Sequence, residues 1–265
     1  MNNYIFIIDL DGTIIGDCKY QNYLYNIKMI LNKNNIKYDV NSHIKEAYSN
    51  KSLLIRPYFI YFINKMKNFF PSSYFYIYTS SLKEWALNEI SLIEKQNNIK
   101  FNRPIFTREN CVLTNDNKYV KCISTILNNN KLKNSQILII DNNDIFIDMK
   151  DNLILCPSYN YIFFQDIWSS LPETIYNCNK CMSFLNKLIE NNNISYHKTN
   201  DFNHKYKTLA YKWIYKKCNN INKKNKKYSK DTFWKKLADY IILNNISDFN
   251  NKSSIIKINN YINEK

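Results

Sequence analysis

The 265-residue chain predicts an α/β fold: a doubly wound parallel sheet with helices on both faces. Two observations carry that reading. Short, near-continuous apolar runs rich in Ile, Tyr and Phe recur along the first 160 residues, the pattern of strands buried on both faces. Segments with helical spacing lie between them, and strands alternating with helices are the signature of crossover-connected parallel sheets.

In chain order, Tyr4–Ile8 reads as the first strand and Tyr20–Leu31 as a helix. Arg56–Phe69 is a second helix, Tyr74–Tyr78 a strand, and Leu82–Gln96 a third helix. Val120–Asn128 is a short helix, Gln136–Ile140 a strand, and Leu153–Cys156 a fourth, shorter strand. Right-handed crossovers gather the C-terminal ends of such strands on one edge, where ligands bind in open α/β sheets. Beyond Leu171-Pro172 the chain reads as helical, with basic amphipathic segments at Lys205–Cys218 and Asp231–Leu243. Asp231 is the expected N-cap of the latter, and Phe233, Trp234, Leu237 and Ile241 share one face. Trp213 and Trp234 are expected in the core of this part. The expected domains are residues 1–175, with a variable helical, Asn/Lys-rich insertion at 14–55, and a basic helical region at 176–265.

Composition excludes several function classes. The chain has two glycines, 45 asparagines, and 34 lysines against three arginines; average usage would supply about 19 glycines. A phosphate-binding P-loop, a GxGxxG fingerprint and a GxSxG elbow each need glycines at spacings absent here, and HExxH is missing too. The abundant residues are those with A/T-rich codons, so an A/T-rich genome explains much of the bias. Asn tolerates left-handed backbone and can fill turn positions that Gly normally takes. The net charge of +15 is unevenly spread: +3 in residues 1–175 and +12 in residues 176–265. That basic region suits nucleic acid through phosphate neutralisation, or an acidic partner, through 205–236, or it is a solvated lysine-rich face. Arg, the usual bidentate base reader, does not occur after Arg108.

Seven cysteines without framework spacing argue against a disulfide scaffold. With no signal-like leader and no apolar run of about 18 residues, the expected location is intracellular, cytoplasmic or nuclear, with no secretion and no membrane contact. Cys178 and Cys181, followed by His197 and His204, miss the usual zinc-finger spacing; helix cysteines and loop histidines are the plainer reading.

The residues that carry chemistry stand at strand ends. Asp9 and Asp11 close the first strand, ahead of Gly12 and Thr13, and positions i and i+2 of an extended chain face the same side. There they can share a divalent cation, one carboxylate attacking phosphorus and the other managing protons. A calcium loop is excluded, because the sixth position, where such loops need Gly, is Ile14. Thr79, Ser80 and Ser81 end the strand YFYIY, and their hydroxyls and N–H groups suit phosphate oxygens. Asp141, Asn142, Asn143 and Asp144 end the strand QILII, an oxygen-rich cluster fit to complete a metal shell.

DLDGT (9–13 within YIFIIDLDGT) resembles motif I of the haloacid dehalogenase superfamily. Arg56-Pro57, YTSSLKEWA (78–86), IFTRENC (105–111), YVK (119–121) and IIDN (139–142) resemble its RNA polymerase II C-terminal-domain phosphatase branch, in family order across roughly 4–172. The resemblance implies a Mg²⁺-dependent phosphatase working through an aspartyl-phosphate. It makes Asp9 the nucleophile and Asp11 the general acid/base, with Thr79, Ser80 and Lys121 binding the phosphate. Asp9, the Asp11 carbonyl, Asp141 and Asn142 are the implied metal ligands. It implies a phosphoserine or phosphothreonine protein as substrate, the polymerase C-terminal repeat among the candidates. The chain departs from the branch at Gly12 (usually Glu), at Asn143-Asp144 (usually Ser-Pro), and at 14–55, where the branch has a small β insertion. A polynucleotide end phosphatase and a catalytically silent binding module with a basic tail are the alternatives.

Overall fold

The computed structural model describes residues 3–49, 51–127, 133–163, 179–180, 183 and 221–264. They fall into two compact units: residues 1–17, 48–161 and 228–265 in one, residues 18–47 and 162–227 in the other. The domain boundary expected at residue 175 lies outside the described residues, as do the segment Lys205–Cys218, Trp213, and the Cys178/Cys181/His197/His204 group.

The first unit is built on a parallel sheet in the order β2-β1-β5-β6, with β1 Asn3–Ile8, β2 Ser73–Ile77, β5 Ser135–Asp141 and β6 Leu153–Leu155. All four expected strands are present. A two-stranded ribbon, β3 Val112–Leu113 and β4 Tyr119–Val120, stands apart from it. Register is what makes the sheet useful. Ile8 pairs with Ile77 on one side and Ile140 on the other, so three strands end level and their next residues meet at one edge.

Alternation along the strands splits the core into two layers. Phe6 and Phe75 stack at 4.8 Å on one face, where Phe62 and Phe249 meet Phe6 edge-on. On the other face Ile5, Ile7, Tyr76, Tyr78, Ile137 and Ile139 pack with Phe106, Ile123, Leu127 and Phe146. The helices α3 Phe59–Phe69 and α6 Phe233–Leu243 meet through Trp234, fully buried against Phe59 at 5.0 Å and Phe62 at 4.7 Å. Phe233, Trp234, Leu237 and Ile241 are all buried, as the helical spacing predicts. Helix α3 starts later than the expected Arg56. Pro57 disfavours helical backbone at the residue before it, and Tyr58 sits at φ +64°. The expected cap also differs: Thr232 occupies the N-cap of α6. Asp231 instead accepts the Phe233 N–H at 3.1 Å and both Nε and Nη2 of Arg56, at 2.9 and 2.8 Å. The one carboxylate thus serves both the first turn of α6 and the buried guanidinium.

Helix α4 Lys83–Asn97 follows β2, and the short α5 Ile123–Ile126 follows Lys121. Helix α7 Lys252–Asn263 guards the free side of β6. The Asn259 side chain accepts the Leu155 N–H and donates to the Leu153 carbonyl, at 3.2 and 2.9 Å, replacing a missing strand neighbour on an edge that would otherwise invite pairing. Asn also supplies turns: among the described non-glycine residues with positive φ, four of seven are Asn (35, 98, 117 and 245), which accounts for how the chain manages with so little glycine.

The second unit contains α1 Lys19–Lys33 and α2 Val40–Ala47, which bury Leu24, Ile27, Leu31, Val40 and Ile44. The Asn225 side chain pairs with both backbone groups of Ile162, at 2.9 and 2.7 Å. Among the described residues, no helix is long and apolar enough to cross a membrane.

Gly16 is required by a close approach. A Cβ there would lie 2.1 Å from the carbonyl oxygen of Tyr161, whose position is held by the Asp17 N–H at 2.8 Å. Gly16→Ala is therefore expected to cost about 2–3 kcal/mol or more through overpacking against backbone, read as a lowered urea midpoint at unchanged m-value.

Candidate active site

Asp9 follows β1 directly, and its N–H still bonds the Ile140 carbonyl at 3.0 Å. The chain then turns sharply. The Leu10 carbonyl accepts from Ile14 at 2.9 Å and Ile15 at 3.1 Å, while the Gly12 N–H reaches the Ile15 carbonyl at 2.8 Å. Gly12 sits at φ +78°, and a Cβ there would meet the Asn142 amide nitrogen at 2.9 Å. Glycine takes this backbone conformation without strain and leaves the Asn142 side chain in place.

Asp9 and Asp141 lie on the sheet face that carries Ile123, Leu127 and Phe146. Lys121 arrives there from the strap after β4, its backbone paired to Ile145 and Ile147 at 2.8 and 3.0 Å. Its Nζ donates to Asp9 Oδ1 at 2.7 Å and to Asp141 Oδ2 at 2.6 Å. It also lies 5.6 and 5.5 Å from the ring centres of Tyr78 and Phe146. Lys121 and Asp141 are fully buried, and Asp9 is 6% exposed. Burial opposes the charged ammonium, but the two carboxylates outweigh it and hold Lys121 above its ordinary range. Burial and the charge of Asp9 push Asp141 up to about 6 against the pull of Lys121.

Asp11 stands beside this trio. Its Oδ2 accepts from Ser81 Oγ at 2.6 Å, with Thr79 Oγ1 farther off at 3.5 Å. Burial raises the Asp11 carboxyl, hydrogen bonding from Ser81 opposes that, and the charge of Asp9 raises it again; a raised carboxyl can hold a proton for delivery. The loop is firm: the Ser81 N–H bonds Thr79 Oγ1 at 3.1 Å, and the Ser81 carbonyl accepts from the Arg108 N–H at 3.0 Å. Ser80 turns its carbonyl to Arg108 Nε at 2.7 Å. Of the two serines, Ser81 is the one that touches the carboxylates. Asn142 comes to the same place by another route. Its Oδ1 and Asp9 Oδ2 both lie 3.1 Å from Thr13 Oγ1, and its Nδ2 donates to Ser158 Oγ at 3.0 Å.

The structure thus gathers Asp9, Asp11, Thr79, Lys121, Asp141 and Asn142 at one sheet edge and turns Ser80 toward Arg108. The resemblance names Ser80 with Thr79 for the phosphate, whereas it is Ser81, in the sequence one of three strand-end hydroxyls, that bonds Asp11; the i, i+2 alternation that pairs Asp9 with Asp11 also pairs Ser81 with Thr79. Thr13, in the sequence simply the residue after Gly12, sets its hydroxyl between Asp9 and Asn142.

Three carboxylates face one ammonium, so the cluster carries excess negative charge on hard oxygens. That donor chemistry fits a cation such as Mg²⁺. The residues to hold it are Asp9, Asp141, Asn142 and the Asp11 carbonyl, although no three His, Cys, Asp or Glu side chains among the described residues converge tightly enough to form a ready cage.

A family model for NLI interacting factor-like phosphatases matches residues 4–195. Among solved structures, an arginine-to-alanine variant of fission yeast RNA polymerase II CTD phosphatase Fcp1 bound to beryllium fluoride is 17% identical, with a TM-score of 0.37 over 84% of this chain and 66% of that one. A second Fcp1 structure, described as an essential RNA polymerase II CTD phosphatase, is 18% identical, with a TM-score of 0.36 over 75% of this chain and 55% of that one. The chain therefore spans less than two thirds of the length of these relatives. None of the curated proteins matches it.

Proposed function

Because the chain belongs to the NLI interacting factor-like phosphatase family, in the haloacid dehalogenase superfamily, we propose that it hydrolyses phosphate monoesters through an aspartyl-phosphate on Asp9. The observation that supports this most directly is the buried Asp9–Lys121–Asp141 cluster, with Asp11 poised beside it at the sheet edge.

In this reading an Asp9 carboxylate oxygen attacks phosphorus, and the bond to the ester oxygen breaks. Asp11 gives its proton to the departing oxygen. Water then attacks the aspartyl-phosphate; Asp11 takes its proton back, and phosphate and free Asp9 are released. Lys121 offsets the negative charge on the phosphoryl oxygens throughout, and Thr79 supplies a hydroxyl from the adjacent strand end. Asp9, Asp141, Asn142 and the Asp11 carbonyl would hold Mg²⁺, which would supply charge neutralisation and alignment of the phosphate.

The substrate in this reading is phosphoserine or phosphothreonine in protein, the class to which the RNA polymerase II repeat belongs. The +12 of residues 176–265 favours an acidic partner for such a complex, with a phosphorylated polynucleotide end as the second reading. The test is hydrolysis of phosphopeptides and 5′-phosphorylated oligonucleotides with and without Mg²⁺. Mg²⁺-dependent release from phosphopeptides is expected. Release from oligonucleotides alone, falling steeply with salt, overturns the protein substrate, and no hydrolysis of any ester overturns the enzyme.

A further inference from the structure

The bond between Ser81 Oγ and Asp11 Oδ2, at 2.6 Å, ties two consecutive strand ends together across the candidate site. We propose that Ser81 is a positioning residue whose hydroxyl clamps Asp11 in the orientation from which it protonates the leaving group; this rests on the phosphatase reading above.

Three observations carry it. The Ser81 contact falls in the range of strong O–H to carboxylate bonds, whereas the 3.5 Å approach of Thr79 lies at the limit of hydrogen bonding. Ser81 is itself anchored from both sides, by its N–H to Thr79 and by its carbonyl to the Arg108 N–H. The backbone that carries the hydroxyl is therefore fixed at both its N–H and its carbonyl. Lys121 is already committed to Asp9 and Asp141, so it bonds the nucleophile and the partner carboxylate while Ser81 bonds the acid. With Oδ2 accepting from Ser81, and the Trp85 side chain also hydrogen-bonded to the carboxyl, Asp11 is assigned one orientation. A carboxyl free to rotate about its side-chain torsions would lose that assignment, and misplacement by about 1 Å can cost on the order of 10²-fold in rate.

General acid help matters in proportion to how poor the leaving group is. That gives a readout which a merely structural role would not move. Wild type, Ser81→Ala and Ser81→Thr are compared on phenyl phosphate, a poor leaving group, and dinitrophenyl phosphate, a good one. The measured quantity is kcat/KM, which reports the phosphorylation step, with Asp9→Asn run in parallel. Ser81→Ala is expected to lose about 10–100-fold on phenyl phosphate and under about 3-fold on dinitrophenyl phosphate, and Ser81→Thr to recover most of the loss. Equal losses on both substrates, or failure of Ser81→Thr to rescue a selective loss, overturn the positioning role and leave the phosphatase reading intact. Hydrolysis that survives Asp9→Asn overturns that reading and the proposal with it.

Discussion

Asp9→Asn is expected to lower turnover of an aryl phosphate by on the order of 10⁴-fold or more, with the fold retained. The amide has the shape of the carboxylate and keeps an acceptor oxygen for the Lys121 ammonium, 2.7 Å away in the wild type. What it loses is the negative charge that makes the oxygen a nucleophile. Lys121 retains Asp141 as its ion-pair partner at 2.6 Å, so no buried cation is stranded. Two measurements check this: steady-state hydrolysis, and acid-quenched protein after reaction with a radiolabelled phosphate ester. Wild type should retain a hydroxylamine-sensitive label, and Asp9→Asn none. Residual turnover above about 1% of wild type would move the nucleophile elsewhere.

Lys121→Met should show the largest combined effect on activity and stability. The substitution keeps the apolar stem between Tyr78 and Phe146 and deletes the ammonium between two buried carboxylates. Removing one partner from such a group costs about 3–5 kcal/mol, because the remaining charges stay desolvated and unpaired. Activity should fall by at least about 10²-fold from loss of charge stabilisation alone. The stability loss has a pH signature in metal-free protein. The Asp141 carboxyl is already pushed up to about 6 by burial and by Asp9, above its unfolded value of about 3.9. The folded state therefore binds more protons between these values, and stability falls as pH rises through them. Without Lys121 the folded value climbs further, so the window extends upward. Urea unfolding in EDTA should show Lys121→Met much more destabilised at pH 8 than at pH 5, with Asp141→Asn in the same chain restoring part of the loss. A loss independent of pH would assign the effect to packing instead of charge.

How far these residues could be read from the chain differs from one to the next. Asp9 and Asp11 announce themselves, since an apolar run of five residues ends in two carboxylates two apart. Asp141 does the same at the end of QILII. Lys121 is one of 34 lysines, and composition offers nothing to single it out; only the YVK context and its resemblance to a known motif did. Its burial between two aspartates is a long-range fact, 112 and 20 residues from its partners. Ser80 and Ser81 are adjacent and chemically identical. Which one faces Asp11 is decided by the turn after β2 and by Arg108 holding the backbone from the other side.

The elements follow the same division. The four strands are visible because a strand covered on both faces must be apolar throughout, a local property of five or six residues. Helix α7 is diluted by polar residues, and its buried set of Ile255, Ile258 and Ile262 is sparse. Its worth lies in Asn259 reaching the β6 backbone, a contact 104 and 106 residues long. The ribbon of β3 and β4 has two residues per strand, too short for any alternation to register.

By itself the sequence determined the sheet, the level at which carboxylates end its strands, and the glycine that the first turn requires. These depend on periodicity and backbone sterics within a few residues. Tertiary structure alone decided that Lys121 lies buried between Asp9 and Asp141, which serine bonds Asp11, and that residues 228–265 pack on α3 and the residues before it through Trp234 and the Arg56–Asp231 pair. Each of those outcomes depends on where distant segments are brought to rest, and a desolvated charge or an indole has no sequence-local mark of the partner that will satisfy it.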